Sequence, residues 1–261
     1  MVNVGILASG RGSNFQAIVE HQQLGVFRDV DVRVLIYNYP DAPVKVIAEK
    51  HQISSRLVPH KNRDRVEFEH EIMSILDSSG VELVCLAGWD RILGSELFQK
   101  YRWKIMNIHP ALLPSFGWKG LNARFVHEAA LEYGVKITGC TVFFVDVSVE
   151  KGPIILQHPV RILESERQMF LDRREEAIQS LSDRVLIHEH RIYSKAIQLF
   201  ADRRLRVDEI AARNEARASR VVAIDLCDEW EKKWNERQLV FIEKQKTTWS
   251  PKAVGTDEEL I

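Results

Sequence analysis

Short β-branched runs alternate with stretches of helical periodicity along the first half of the chain. "NVGILAS" (residues 3–9) reads as a strand, helical spacing starts at Ser13, and "DVRVLIYN" (31–38) is a second strand. Then come a helix in "APVKVIAEKHQ" (42–52), a short strand in "SRLVP" (55–59), a helix in "RVEFEHEIMSILDSS" (65–79) and a strand in "VELVCLAG" (81–88). Apolar strands without polar alternation, separated by helices, predict a parallel sheet covered on both faces. From residue 104 the pattern changes: strand "KIMNIH" (104–109), helix "NARFVHEAALEYG" (122–134), then "KITGCTVFFVD" (136–146) and "GPIILQHPVRI" (152–162), two strands close enough to pair antiparallel. One long helical stretch is expected around Gln168 to Phe200.

Beyond Val207 the sequence turns charged and helix-like through "DEWEKKWNERQLVFIEKQK" (228–246). Trp230, Trp234 and Phe241 recur there at helical spacing, so this extension docks an aromatic face, either on its own domain or in a homodimer contact. The expected organisation is α/β: a Rossmann-like domain over 1–207, split into a phosphate- or nucleotide-binding half (1–103) and a catalytic half (104–207), and a helical extension over 208–261.

Composition narrows the partners. The 261 residues carry a net charge of −1, with 45% hydrophobic and 28% charged side chains. A nucleic-acid or membrane surface normally needs a basic excess, so small-molecule substrates are expected. Three separated cysteines, Cys85, Cys140 and Cys227, give neither a disulfide framework nor metal-ligand spacing. The N-terminus lacks the features of a signal peptide, and no stretch has the ~20 apolar residues of a membrane span. The cytoplasm is the expected location.

Two places carry candidate chemistry. "LASGRGSNFQAI" sets Gly10, Gly12, Ser13 and Asn14 between the first strand and the first helix, where backbone N–H groups and the Ser13 hydroxyl suit a phosphate. It is neither the dinucleotide nor the nucleoside-triphosphate loop, and a plain turn with Ser13 as helix N-cap is the alternative. "KIMNIHPALLPSFGWKG" sets Asn107 and His109 two apart at a strand end. Both side chains then face one space, where an amide and an imidazole can hold an oxyanion and manage a proton. Asp146 and Glu150 are the candidate carboxylates for orienting the histidine. His51, His60 and His70 read as surface or helix-end residues, and His188 and His190, at i and i+2, do not share a face as a metal pair would. "RQMFLDRREEAIQ" reads as a solvated helix face with i,i+4 pairing.

"ASGRGSNFQAI", "LAGWDRIL", "MNIHPALLPSF", "HEAALEYGVKITGCTVFFV", "GPIILQ" and "EHRIYSKAIQLFADRRLRV" follow one another in the order and spacing of the phosphoribosylglycinamide formyltransferases, a folate-dependent family. The resemblance covers about residues 1 to 207. It implies transfer of a formyl group from 10-formyltetrahydrofolate, a co-substrate, to the amine of glycinamide ribonucleotide in purine synthesis, with no metal. It further implies that Gly12, Ser13 and Asn14 take the phosphate and that Glu189 approaches the glycinamide and ribose. Arg65, Arg91, Ile92, the backbone around Leu93, and the segment containing Val145 and Val147 match the folate side. Asn107 and protonated His109 match the pair that stabilises the tetrahedral oxyanion.

The chain departs from the family pattern at several points. Counting back from Gly152 and Pro153, the family's catalytic Asp falls on Glu150. Phe143 stands where a His is usual, Asp90 where Met is common and Ser194 where Pro is usual, and "ESERQMFLDRREEAIQSLSD" is an unusually charged insertion. Two alternatives are kept: the same donor with another amine acceptor, and a catalytically weak folate- or nucleotide-binding paralogue acting as a regulatory subunit. Formyltetrahydrofolate hydrolase shares the fold but resembles a longer chain with an added N-terminal regulatory domain, whereas here the formyltransferase domain is expected to start at Met1.

Overall fold

The structure, a computed structural model, describes residues 1–117, 123–146, 151–210, 219–225 and 227–248. Its centre is one seven-stranded sheet. In chain order the strands are β1 (Val2–Ala8), β2 (Val30–Tyr37), β3 (Ser55–Leu57), β4 (Leu83–Leu86), β5 (Ile105–His109), β6 (Ile137–Phe144) and β7 (Ile154–Arg161). The spatial order is β3-β2-β1-β4-β5-β6-β7; β1 to β5 pair in parallel, while β6 and β7 join antiparallel. The chain leaves β1 on one side for β2 and β3, then returns on the other for β4. The switch of direction therefore falls between β1 and β4, where such sheets bind ligands at their carboxyl ends.

Helices cover both faces because the strands are apolar on both. Val4, Ile6 and Ala8 of β1, Leu35 and Tyr37 of β2, and Leu83 and Cys85 of β4 join one core with α1 (Ser13–Gln23), α2 (Val44–Lys50) and α7 (Arg174–Ala201). The alternate residues Leu7, Val34, Ile36, Val84 and Leu86 join a second core with α3 (Arg65–Ser78) and α4 (Ser95–Lys100). Each fully buried aliphatic or aromatic side chain of these layers contributes about 1.5–3 kcal/mol. Tyr193 of α7, fully buried, brings its hydroxyl to 3.0 Å from the carbonyls of both Leu86 and Met106, tying the helix to the ends of β4 and β5. That contact sets the depth at which α7 presents Glu189, one turn earlier, to the site.

The expected strands and helices of the first half are present with ends shifted by a residue or two, and α5 (Ala123–Tyr133) follows β5. Four features differ from the sequence reading. The six-residue α4 was not anticipated. The long helix is broken at Arg173 (φ −134°, ψ 62°) into α6 (Glu164–Asp172) and α7. Around this break the charged face pairs at i,i+3 (Arg167 with Glu164, Arg173 with Glu176) and across to α5 (Arg174 with Glu128 at 2.7 Å), while the expected i,i+4 spacing is met further on, where Gln179 donates to Asp183 (2.6 Å). Finally, the extension begins as a β-hairpin, β8 (Leu205–Ile210) with β9 (Ser219–Ile224), before α8 (Asp228–Thr248). The boundary expected after Val207 therefore cuts through β8.

The aromatic face of α8 docks on its own chain. Trp230, Trp234 and Phe241 are all buried, Trp230 donates to Asp202 (2.6 Å), Arg237 donates to the Val26 carbonyl (2.9 Å), and Phe241 packs 3.7 Å from the His21 ring centre.

Candidate active site

The phosphate-loop candidate lies at the carboxyl end of β1. Gly12 is the N-cap of α1 with φ 81°, a conformation that favours glycine, and a Cβ there would stand 2.4 Å from Val44 Cγ2. Ser13 is thus the first helical residue and not the N-cap that the plain-turn alternative required. No acidic residue sits in the first turn, so the positive end of α1 is unopposed by a side chain of its own. Asn14, buried, donates from Nδ2 to Glu189 Oε2 at 2.8 Å. Burial raises the Glu189 carboxyl above its ordinary range; the Asn14 hydrogen bond and the nearby His109 and Arg11 pull it partly back. The loop and α7, 175 positions apart in sequence, meet here.

Asn107 and His109 close β5 on the side of the strand that carries Ile105. Asn107 stands beside Leu86 of β4 and opposite Phe143 of β6, and His109 opposite Thr141. Phe143 is buried, so Asn107 has an apolar neighbour across the ladder. His109, 3% exposed, places Nε2 3.1 Å from the Phe116 carbonyl; a carbonyl only accepts, so Nε2 carries the hydrogen in this contact. The turn after His109 is locked from behind. Thr141 Oγ1 donates to the Ala111 carbonyl (2.7 Å) and accepts from Leu113 N (3.0 Å), while Gln157 Nε2 donates to both Thr141 Oγ1 (2.9 Å) and the Leu113 carbonyl (3.0 Å). Thr141 and Gln157 were quoted in the sequence motifs without a role; their positioning work shows only once β6 and β7 lie beside the turn.

Of the two candidate carboxylates, Asp146 forms an ion pair with Arg220 of β9, whose guanidinium also stands 5.4 Å from the Trp103 ring centre. Glu150 and Val147 lie outside the described residues, as do 118–122. On the expected folate side, Arg65 heads α3, donates to Glu69 (3.0 Å) and reaches the Ile92 carbonyl at 3.5 Å. Ile92 is exposed, Leu93 buries its side chain in the second core and offers only backbone, and Val145 is half-buried at the end of β6. Arg91 forks onto Asp90 through Nε (3.1 Å) and Nη2 (3.2 Å). His60 is not a plain surface residue: it meets Tyr39 edge-on at 4.9 Å, and its Nδ1 lies 3.3 Å from the Asn38 amide. His127 of α5, missed as a site neighbour, is buried near His109, and burial lowers its pKa to about 4.

This arrangement of strands, loop and helix defines a class. Residues 2–197 match the formyl transferase family model, and the chain belongs to that family. Among curated relatives it is 39% identical over 207 residues to the human trifunctional purine biosynthetic protein adenosine-3, covering 79% of this chain and 19% of that one. It is 34% identical over 205 residues to the chloroplastic phosphoribosylglycinamide formyltransferase of Arabidopsis thaliana, covering 78% and 66%. The chain thus spans about a fifth of the human protein's length. Among solved structures, glycinamide ribonucleotide transformylase 1 from Symbiobacterium toebii superposes with a TM-score of 0.73 at 36% identity, covering 86% of this chain and 94% of that one.

Proposed function

We propose that this chain transfers a formyl group from 10-formyltetrahydrofolate to the amine of glycinamide ribonucleotide in purine biosynthesis. The observation that carries the reading is the convergence, at one sheet edge, of the β1–α1 loop, the Asn14–Glu189 pair and the Asn107/His109 strand end. The names of the relatives point the same way.

In this reading Gly12, Ser13 and Asn14 hold the phosphate, and Glu189 faces the glycinamide and ribose. Arg65, Arg91, Ile92, the Leu93 backbone, Val145 and Val147 face the folate. The amine attacks the formyl carbon, and the Asn107 amide and His109 stabilise the oxyanion of the tetrahedral adduct. Collapse breaks the bond to the folate nitrogen, which takes up a proton as the new amide loses one. The amine is itself the nucleophile, so no covalent enzyme intermediate is needed. No described helix is long and apolar enough to cross a membrane. The reading places the enzyme in the cytoplasm acting on small molecules; sedimentation would test for a homodimer.

Purified protein given both substrates forms the formylated product, and a chelator leaves the rate unchanged. Absence of product would sink the assignment; loss of activity to a chelator with recovery on adding a divalent cation would sink its metal-free form. Glu150 is proposed as the carboxylate that supports His109, since Asp146 is engaged by Arg220. Glu150→Gln lowers turnover about tenfold, the effect of one contact worth ~1.4 kcal/mol in the transition state, with little change in folate affinity. In a site reshaped around the longer acid, Glu150→Asp also lowers it. An unchanged rate in Glu150→Gln would transfer the role to Asp146.

A further inference from the structure

Asp90 stands at the carboxyl end of β4, across the switch point from Ser9 at the end of β1. Its carboxylate is the meeting point of three strand ends. Oδ1 accepts from Ser9 Oγ (2.8 Å), from Asn38 Nδ2 just past β2 (2.8 Å) and from Arg91 Nε (3.1 Å). Oδ2 accepts from Tyr39 OH (2.7 Å) and Arg91 Nη2 (3.2 Å), and the Asp90 N–H donates back to Ser9 Oγ (3.0 Å). Burial alone would raise this carboxyl, but the hydrogen bonds from Arg91, Tyr39, Asn38 and Ser9 together hold it well below the usual carboxylate range.

We infer that Asp90 is a positioning residue for the phosphate loop, acting through Ser9, and that Arg91 balances its charge so that an anion can bind beside it. A carboxylate has about four lone-pair sites, and five donors already converge on this one, so it holds neighbours and does not itself bind substrate. Ser9 leads directly into Gly10–Gly12. That loop is further fixed by Ser9 N donating to the Gly88 carbonyl (3.1 Å) and Val44 N donating to the Gly10 carbonyl (3.2 Å). Cutting the Ser9 side-chain tie leaves that side of the loop held by the Ser9–Gly88 backbone bond alone, while α2 still holds the other. An unpaired carboxylate next to the loop would repel a phosphate; the bidentate Arg91 fork cancels that charge. The inference deepens the proposed function and rests on it only for the identity of the anion.

The test compares Asp90→Asn, Ser9→Ala, Arg91→Ala and the Asp90→Asn/Arg91→Ala double variant, each checked for a native melting transition. KM for both substrates and kcat are measured, with calorimetric binding of inorganic phosphate as a readout that needs no turnover. Asp90→Asn removes the charge from this network and raises KM for glycinamide ribonucleotide about tenfold, the scale of one lost hydrogen bond to a charged group, with kcat within about threefold. Ser9→Ala, which keeps every charge, reproduces the acceptor effect. Arg91→Ala weakens phosphate binding, and removing the Asp90 charge in the double variant recovers part of it. Unchanged acceptor KM and phosphate affinity in both Asp90→Asn and Ser9→Ala would overturn the inference, as would a fall in kcat alone or an additive double variant. If the wild-type protein makes no formylated product, the function assignment fails, while the phosphate measurements still decide the role of Asp90.

Discussion

Asn107→Ala and His109→Ala each lower turnover by roughly 10²–10³, the usual cost of removing one preorganised donor from an oxyanion site. Neither residue is placed by chance. β5 is held between β4 and β6, with Asn107 registered against Leu86 and Phe143, and the Thr141/Gln157 hydrogen bonds fix the turn that follows His109. Truncating Asn107 removes a side chain that is only half-buried, so the protein keeps its fold and the loss falls on kcat more than on either KM. His109 is more deeply buried, and His109→Asn keeps a polar group there if His109→Ala melts early. Folded variants of both positions with near-wild-type turnover would remove the pair from the reaction. Thr141→Val gives an independent check: it deletes three hydrogen bonds behind the turn without touching the reacting groups, so it lowers kcat by less than either direct substitution.

How far the sequence carried the reading depends on the range of the interactions involved. The strands β1, β2, β4, β5 and β6 were legible because each gathers apolar or β-branched residues in a short stretch set off from the helical spacing around it. The β8–β9 hairpin was not. "LRVDEI" and "SRVVAI" mix charges with alternating apolar positions, and the alternation acquires meaning only when Leu205 and Val207 pack on the main core and Val222 is buried while Val221 stays exposed. The site followed the same rule. Asn107 and His109, neighbours on one strand, could be paired from spacing, and Gly12 was marked by its motif. The Asp90 network joins positions 9, 38, 39, 90 and 91, and the Asp146–Arg220 pair spans 74 positions; no local pattern signals either. Asp90 was visible in the sequence as an unexpected residue, but its role needed three strand ends drawn together.

Lowering the pH from about 6.5 to 4 costs this protein roughly 3 kcal/mol of stability for each fully buried neutral histidine. His21 is fully buried in α1, and burial pushes its pKa down to about 4, although the Ala17 carbonyl, Gln238 and Glu20 act in the opposite direction. His127 is lowered to about 4 by burial, with His109 adding to the effect. A folded-state pKa below the unfolded value of 6.5 means that the unfolded chain binds the extra proton. The stabilisation is therefore complete above pH 6.5 and is lost as the pH falls toward 4. Burial also lowers His188 and His190 to about 3; the His158 ring stacked on His188 and the arginines 191 and 184 assist the first, and His21 the second. Because His21 and His190 repel when charged, their costs do not simply add. Glu189 works the other way, since its raised pKa favours the folded state in acid, but it is one group against several. Melting temperature should stay flat above pH 7 and fall steeply below 6.5, with the slope best read between pH 5 and 6.5, where most carboxylates remain ionised. His21→Phe, which keeps an aromatic ring between Phe27 and Phe241, should reduce that slope by close to one proton. Tryptophan fluorescence, compared between the wild-type and His21→Phe proteins, reports the change at α8 in part, because two of the six tryptophans, Trp230 and Trp234, lie on the helix that covers His21. Identical pH slopes in wild-type and His21→Phe proteins would mean that α8 already yields enough to hydrate the imidazole, and the seal it forms over α1 would be looser than its buried aromatic face implies.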